Sequence, residues 1–284
     1  MRPVDAAVRA AVSIVQQHGL EVAEPRLLST SQAVIVHLGP APLVARVGAE
    51  DVFGPRLVWQ RGAVPFVRHL ADVGAAVVPP SDLLPPGPHE RDGLVVSFWR
   101  YVQGSGPPAD PAAAGEALRE IHELALGYEG ELAPFWPPVE AQALLARADV
   151  AGALRGPELQ LLRGVLERRL PERPEQPLHG DAHVWNTLQT ADGPLWLDFD
   201  EACRGPLEWD AATMVESDLV LGPGADVPAA YEAAFGDRFE ERDLAPWVEL
   251  RVALIVLWLA AAGRTTEAPH ELDRLLAWLR PRVA

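Results

Sequence analysis

Hydrophobic positions change their period once along the chain. Over residues 25–47, "PRLLSTSQAVIVHLGPAPLVARV" alternates apolar and other residues, with turn formers at Gly39, Pro40 and Pro42, and this predicts two or three antiparallel strands. "RLVWQRGAVPFVRHLADVG" follows as a helix weakened in its first half by Gly62 and Pro65. "AAVVPPSDLLPPGPHERDGLVVSFWRYV" then sets two β-rich runs on either side of a proline-rich turn. After Tyr101 and Val102 the character shifts. "GSGPPADP" is linker-like and ends in Asp110-Pro111, a helix cap followed by a first-turn proline. "AAAGEALREIHELAL" brings Leu118, Ile121, Leu124 and Ala125 to helical spacing. Helical patterns continue through "VEAQALLARADVAGAL", "PELQLLRGVLERRL", "DVPAAYEAAF", "LAPWVELRVALIVLWLAAAG" and "PHELDRLLAWLR". One β-like island interrupts them, around "LHGDAHVWNTL" and "LWLDFDEA". The predicted fold class is α+β: a small sheet-rich lobe over residues 1–103 and a larger helical lobe over residues 104–284. Ligands commonly bind where two such lobes meet.

Composition narrows the function classes. The 284 residues, 49% hydrophobic and 23% charged, suit an ordinary soluble protein with one large domain or two lobes. A single cysteine, Cys203, cannot form an internal disulfide, so a cytoplasmic location is expected. The first residues spread their charges and glutamines and do not form a targeting segment. The most apolar run, residues 252–263, is short for a bilayer span and reads as a buried helix, so no membrane partner is expected. A formal charge of −16 with no basic patch excludes nucleic acid as a partner. That acidity would attract a cationic small substrate, and would equally serve solubility. The chain has no lysine: all 24 of its Lys-or-Arg positions are arginine, so a phosphate-binding cation must be Arg or protonated His.

The island carries the chemistry. His179-Gly180-Asp181-x-x-x-x-Asn186, followed by Asp198-Phe199-Asp200, has the spacing of a phosphoryl-transfer site. Such a site needs one carboxylate to orient an attacking hydroxyl and accept its proton. It also needs a carboxylate and a carboxamide oxygen to hold Mg2+ on the nucleotide phosphates. Asp181 suits the first task, and Asn186 with Asp198 the second. "LWLDFD" looks like a strand that delivers Asp198 to its end. His179 is expected to orient the loop by hydrogen bonding and His183 to pack it, one histidine and two carboxylates being a poor zinc set. Asp200 is either a second metal ligand or a cap. Cys203 is expected to be inert.

"HGDAHVWN", "LDFDEA" and "RGPLEWDAA" together resemble the aminoglycoside phosphotransferase family, kinase-like enzymes that phosphorylate small molecules. The resemblance implies a two-lobed protein-kinase-like fold using ATP or GTP with Mg2+. It makes Asp181 the catalytic base, Asn186 and Asp198 the metal ligands, and Asp210 a brace on the catalytic loop. Family members hold the phosphates under a turn of small residues, with a basic residue on a following strand. "LLSTSQAV" offers Ser29, Thr30 and Ser31 for the turn, and "LVARVG" offers Arg46 for the cation. Arg46 stands where lysine is usual, and the two are not equivalent. Kinase-like folds pair that cation with a glutamate on the next helix. Here no acid lies between Asp51 and Asp72, so the partner is Glu50 or Asp51, or the pair is missing. "GLVVSFWRYV" resembles the strand that leads into the interlobe hinge.

Three activities fit these residues: an ATP-dependent kinase acting on a small-molecule hydroxyl, a nucleotide-binding pseudokinase with a regulatory role, and a metal-dependent hydrolase. Intact Asp181, Asn186 and Asp198 favour the kinase. The resemblance leaves the acceptor open among aminoglycosides, other antibiotics, choline-like alcohols, sugars and nucleosides. Glu201, Glu216 and Asp218 form either an acidic acceptor pocket or a solvated surface. The protein is expected to be a monomer or homodimer.

Overall fold

The computed structural model describes residues 3–30, 33–49, 56–105, 109–221, 227–263 and 269–283. Helix α1 (Pro3–Gln17) leads into strands β1 (Glu24–Ser29), β2 (Val34–Gly39) and β3 (Leu43–Ala49), and then helix α2 (Arg56–Asp72). Strands β4 (His89–Arg91) and β5 (Leu94–Arg100) complete an antiparallel sheet ordered β1-β2-β3-β5-β4. The 25–47 segment thus forms three strands. Side chains alternate across a strand. Leu43, Ala45 and Val47 therefore join Val36, Leu38, Val96 and Phe98 on one face, sealed by Ala7, Ala11, Ile14 and Val15 of α1. Arg46, between Ala45 and Val47, falls on the opposite face, toward the rest of the molecule.

Two local expectations give way to packing. α2 is one continuous helix with Pro65 inside it. Proline removes one backbone donor, but Ala63, Phe66, Val67 and Leu70 bury their side chains in the larger core, which outweighs that loss. The first β-rich run, residues 75–78, makes no strand. Val77 forms only a single parallel bridge to Trp196, because Pro79 and Pro80 follow it and have no N–H to extend a ladder. The strand that does pair with β5, β4, lies after the prolines.

The helical part begins with α3 (Pro111–Ala125), capped as expected: Asp110 Oδ1 accepts the Ala113 N–H at 2.9 Å. α4 (Pro137–Ala146), α5 (Ala148–Ala153) and α6 (Gly156–Leu166) follow. β6 (Glu175–Leu178) then pairs with β9 (Cys203–Pro206), and β7 (Thr187–Thr190) with β8 (Gly193–Trp196), as two small antiparallel sheets. α7 (Glu208–Leu221), α8 (Val227–Phe235), α9 (Glu241–Ala261) and α10 (Pro269–Val283) complete the chain. α9 is longer than its apolar run suggested, long and apolar enough by length and composition to cross a membrane, yet 72% of its apolar window is buried inside the fold. It is the central core helix, and it carries two buried charges, Glu249 and Arg251.

Candidate active site

The β6–β7 connection is built around a residue that has to be glycine. Gly180 has φ +87°, and a Cβ there would lie 2.0 Å from the Glu201 carbonyl oxygen. Asp210, fully buried at the start of α7, holds the loop from behind. Its Oδ1 accepts the Gly180 N–H at 2.9 Å, and its Oδ2 accepts the His179 N–H at 2.9 Å and lies 2.9 Å from His122 Nε2. The Trp209 indole N–H donates to the Gly180 carbonyl at 2.8 Å. His179 Nδ1 accepts the Asp181 N–H at 3.3 Å, so its Nε2 carries the proton and donates to the Leu197 carbonyl at 3.1 Å. Burial pushes the ring's pKa down, which keeps it in that neutral form. His179 therefore fastens one motif to the other.

Asp181 projects from this loop into a ring of donors. Oδ1 meets Arg251 Nη2, while Oδ2 lies 3.2 Å from His183 Nε2 and 3.2 Å from Asn186 Nδ2. Asn186 Nδ2 also donates to the Asp181 carbonyl at 2.9 Å. Both amide hydrogens thus go to oxygen, and the carboxamide Oδ1 is turned away as an acceptor for a cation. Burial pushes the Asp181 pKa up, but His183 and Arg251 outweigh it and hold the carboxyl well below its usual range. His183 is raised in return: burial lowers it, and the Asp181 charge lifts it by more. Its role is therefore more than loop packing.

Arg251 went unnoticed in the sequence. It lies 70 residues beyond Asp181, and its guanidinium sits over the rings of Trp209 and Trp258, 5.7 Å and 5.3 Å from their centroids. Its Nε is 3.4 Å from Glu216 Oε2. Glu216 and Glu201 are buried, not solvated; Asp218 is half-buried. Burial raises the Glu216 pKa even beside Arg251.

Asp198 follows β8 in a left-handed conformation, φ 62° and ψ 57°, unusual for a residue with a side chain. Leu197 N–H bonds to the Asn186 carbonyl at 3.0 Å, so the two candidate metal ligands sit on adjoining backbone. Phe199 packs 4.2 Å from the His179 ring and 6.1 Å from Phe66 of α2, between centroids. Across the cleft, Arg46 Nη2 reaches Asp198 Oδ1 at 3.0 Å and Nη1 reaches Asp200 Oδ2 at 2.5 Å. Burial acts to lower the Arg46 pKa, but these carboxylates hold it above its usual value. Among the described residues the acids that meet Arg46 are Asp198 and Asp200; Glu50 and Asp51, the expected partners, lie outside the described residues. Ser29 ends β1, Thr30 follows exposed, and Ser31 also lies outside the described residues. Among the described residues no group of three or more His, Cys, Asp and Glu forms a metal cluster. Asp198, Asp200 and the Asn186 Oδ1 are nevertheless hard oxygen donors, which suits Mg2+, an ion that keeps waters and takes phosphate oxygens.

A sheet lobe set over a helical lobe, with these acids at the seam, defines a two-lobed kinase-like phosphotransferase. Residues 60–247 match the phosphotransferase enzyme family, APH, and the chain belongs to that family. It is a small-molecule kinase. Solved structures with the same fold include the amicoumacin kinase hAmiN in complex with AMP-PNP, Ca2+ and Ami, with TM-score 0.69, 13% identity, and coverage of 99% of this chain and 96% of that one. The choline kinase LicA from Streptococcus pneumoniae has TM-score 0.68 and 16% identity, over 96% and 99% of the two chains. A microcompartment-associated aminopropanol kinase has TM-score 0.68 and 20% identity, over 95% and 96%. No curated protein matches the sequence. The family match starts at residue 60, after β3, so it takes in the loop with Asp181 and not Arg46.

Proposed function

We propose that the protein transfers the γ-phosphate of ATP to a hydroxyl group of a small molecule in the cytoplasm. The observation that carries this reading is the Asp181 carboxylate, held ionised by Arg251 and His183 and hydrogen-bonded to Asn186. Asp181 orients the acceptor hydroxyl and accepts its proton. A carboxylate kept ionised by its neighbours is ready to take that proton as the loose transition state of phosphoryl transfer is passed. Asn186 Oδ1 and Asp198 would hold Mg2+, with Asp200 beside them. The ion supplies charge neutralisation at the phosphates. Arg46, already at Asp198, is placed to meet the same phosphates, and the turn after β1 with Ser29 and Thr30 would cover them. His179 and Asp210 keep the loop in register.

The amicoumacin kinase solved with AMP-PNP and Ca2+ supports a nucleotide and a divalent cation here. The net charge of −16 favours a cationic acceptor, and the choline and aminopropanol kinases make amino alcohols worth testing beside antibiotics. A panel of hydroxylated antibiotics, amino alcohols, sugars and nucleosides, assayed with ATP or GTP and Mg2+, tests the reading. Transfer to at least one acceptor, lost in Asp181→Asn, is expected. Nucleotide binding without transfer to any acceptor or to water would instead favour the pseudokinase.

A further inference from the structure

Arg251 has a geometry that stability alone does not require. Its side chain is only 3% exposed, and three independent supports fix its guanidinium: the Trp209 ring, the Trp258 ring and the Glu216 carboxylate. Of the rest of its planar fork, Nη2 is spent on Asp181 Oδ1, while Nη1 is buried without a hydrogen-bond partner. Trp209 serves both ends of the arrangement, since its ring lies under the guanidinium while its N–H holds the Gly180 carbonyl, one residue before Asp181. Trp258 in turn bonds Glu140 of α4 through its indole N–H at 3.2 Å, which ties that wall of the cage to a second helix. A buried ion pair generally contributes no more stability than apolar packing of the same volume. A purely structural α9 would therefore be served as well by leucine or methionine.

We propose that Arg251 is a positioning residue for phosphotransfer: from α9 it fixes the rotamer of Asp181, so that the carboxylate faces the acceptor hydroxyl before the acceptor arrives. The inference rests on the kinase reading of Asp181. Asn186 and His183 both approach Oδ2, so among the described residues it is Arg251 that locates Oδ1. Lysine could not take its place. A single ammonium on a flexible stem can reach Asp181 or Glu216 but lacks a fork to bridge them, and loses the planar stacking between the indoles.

Two measurements on the full chain test this. The first is the crystal structure of Arg251→Gln, which needs no activity. The Asp181 carboxylate is expected to leave its place while the 178–188 backbone stays. An unmoved carboxylate overturns the proposal. The second is steady-state transfer from MgATP to the acceptor found by the panel, or to water. Arg251→Gln should lower kcat about 10²-fold, the scale of a roughly 1 Å misplacement, with ATP affinity unchanged. Arg251→Lys, which keeps a buried charge and protects folding, should recover only part of it. In an Asp181→Asn background the same replacement should cost little further in turnover, since the side chain it positions can no longer accept the proton. An equal loss in both backgrounds marks a general structural defect and overturns the proposal. A wild-type protein that transfers to nothing sinks the kinase reading instead, and leaves the crystallographic arm to decide on Arg251.

Discussion

Arg46 and Asp200 are joined across the lobes: Nη1 of the strand arginine lies 2.5 Å from Oδ2 of an aspartate beside the metal motif, and Nη2 reaches Asp198 at 3.0 Å. One planar fork spans two carboxylates, which is work a lysine cannot do. Arg46→Lys should therefore raise the Michaelis constant for ATP about tenfold, and Arg46→Ala further. The Ala variant should also lose about 3 kcal/mol of stability, because it breaks a buried ion pair by removing one of its members. Urea titration and ATP kinetics read the two effects separately. A fully active Lys variant would show that a single point charge suffices.

Asp181→Asn keeps the side chain's shape and removes the proton acceptor. Turnover should fall roughly 10²–10⁴-fold, with nucleotide affinity nearly unchanged. Unchanged turnover in the folded variant ends the assignment.

Asp198→Ala removes a charged oxygen from the candidate metal site. Calorimetry should find Mg2+-dependent ATP binding lost while binding of ATP alone changes little. Equal MgATP affinity in variant and parent would move the metal elsewhere, with Asp200 the next candidate.

Asp210 accepts two backbone N–H groups and faces His122, all buried. Asp210→Ala leaves those donors unpaired and should cost about 3 kcal/mol or more of unfolding free energy, along with activity. Asp210→Asn can still accept but must turn one donor N–H toward them, so it should fall in between. A thermal-denaturation series that ranks Asn level with Ala would deny the acceptor role.

Cys203 is fully buried, and burial pushes its thiol pKa well above the usual value. It should resist iodoacetamide in the native protein near pH 8 and react once the chain is unfolded in urea. Rapid native labelling, followed by mass spectrometry, would contradict the packing of β9.

The site was legible where its parts are close in sequence. His179, Asp181, Asn186 and Asp198 lie on one short stretch, and the folded chain keeps them together through that stretch's own hydrogen bonds: the His179 ring to the Leu197 carbonyl, the Asn186 amide to the Asp181 carbonyl, and the Leu197 N–H to the Asn186 carbonyl. Arg251 was hidden because periodicity treats α9 as one apolar run. The available signal was chemical: a helix that buries nearly everything cannot bury Glu249 and Arg251 without partners. The kinase-like pattern points to an acid near the next helix, Glu50 or Asp51, and says nothing of Asp198, which meets Arg46 from 152 residues away. Local propensity misjudged Pro65 and residues 75–78 for opposite reasons. In α2 tertiary burial overrode a breaker, and before Pro79 missing donors overrode β-rich composition.

The absent methyl group of Gly180 sets how the two halves of the chemistry relate. With the Glu201 carbonyl 2.0 Å from where a Cβ would stand, the loop carrying Asp181 and the turn after Asp198 share a wall with no slack. The proposed base and the proposed metal donor are thereby registered to each other when the chain folds. Such preorganisation would spare the proposed reacting carboxylates any rearrangement at the moment of transfer, whichever acceptor occupies the site.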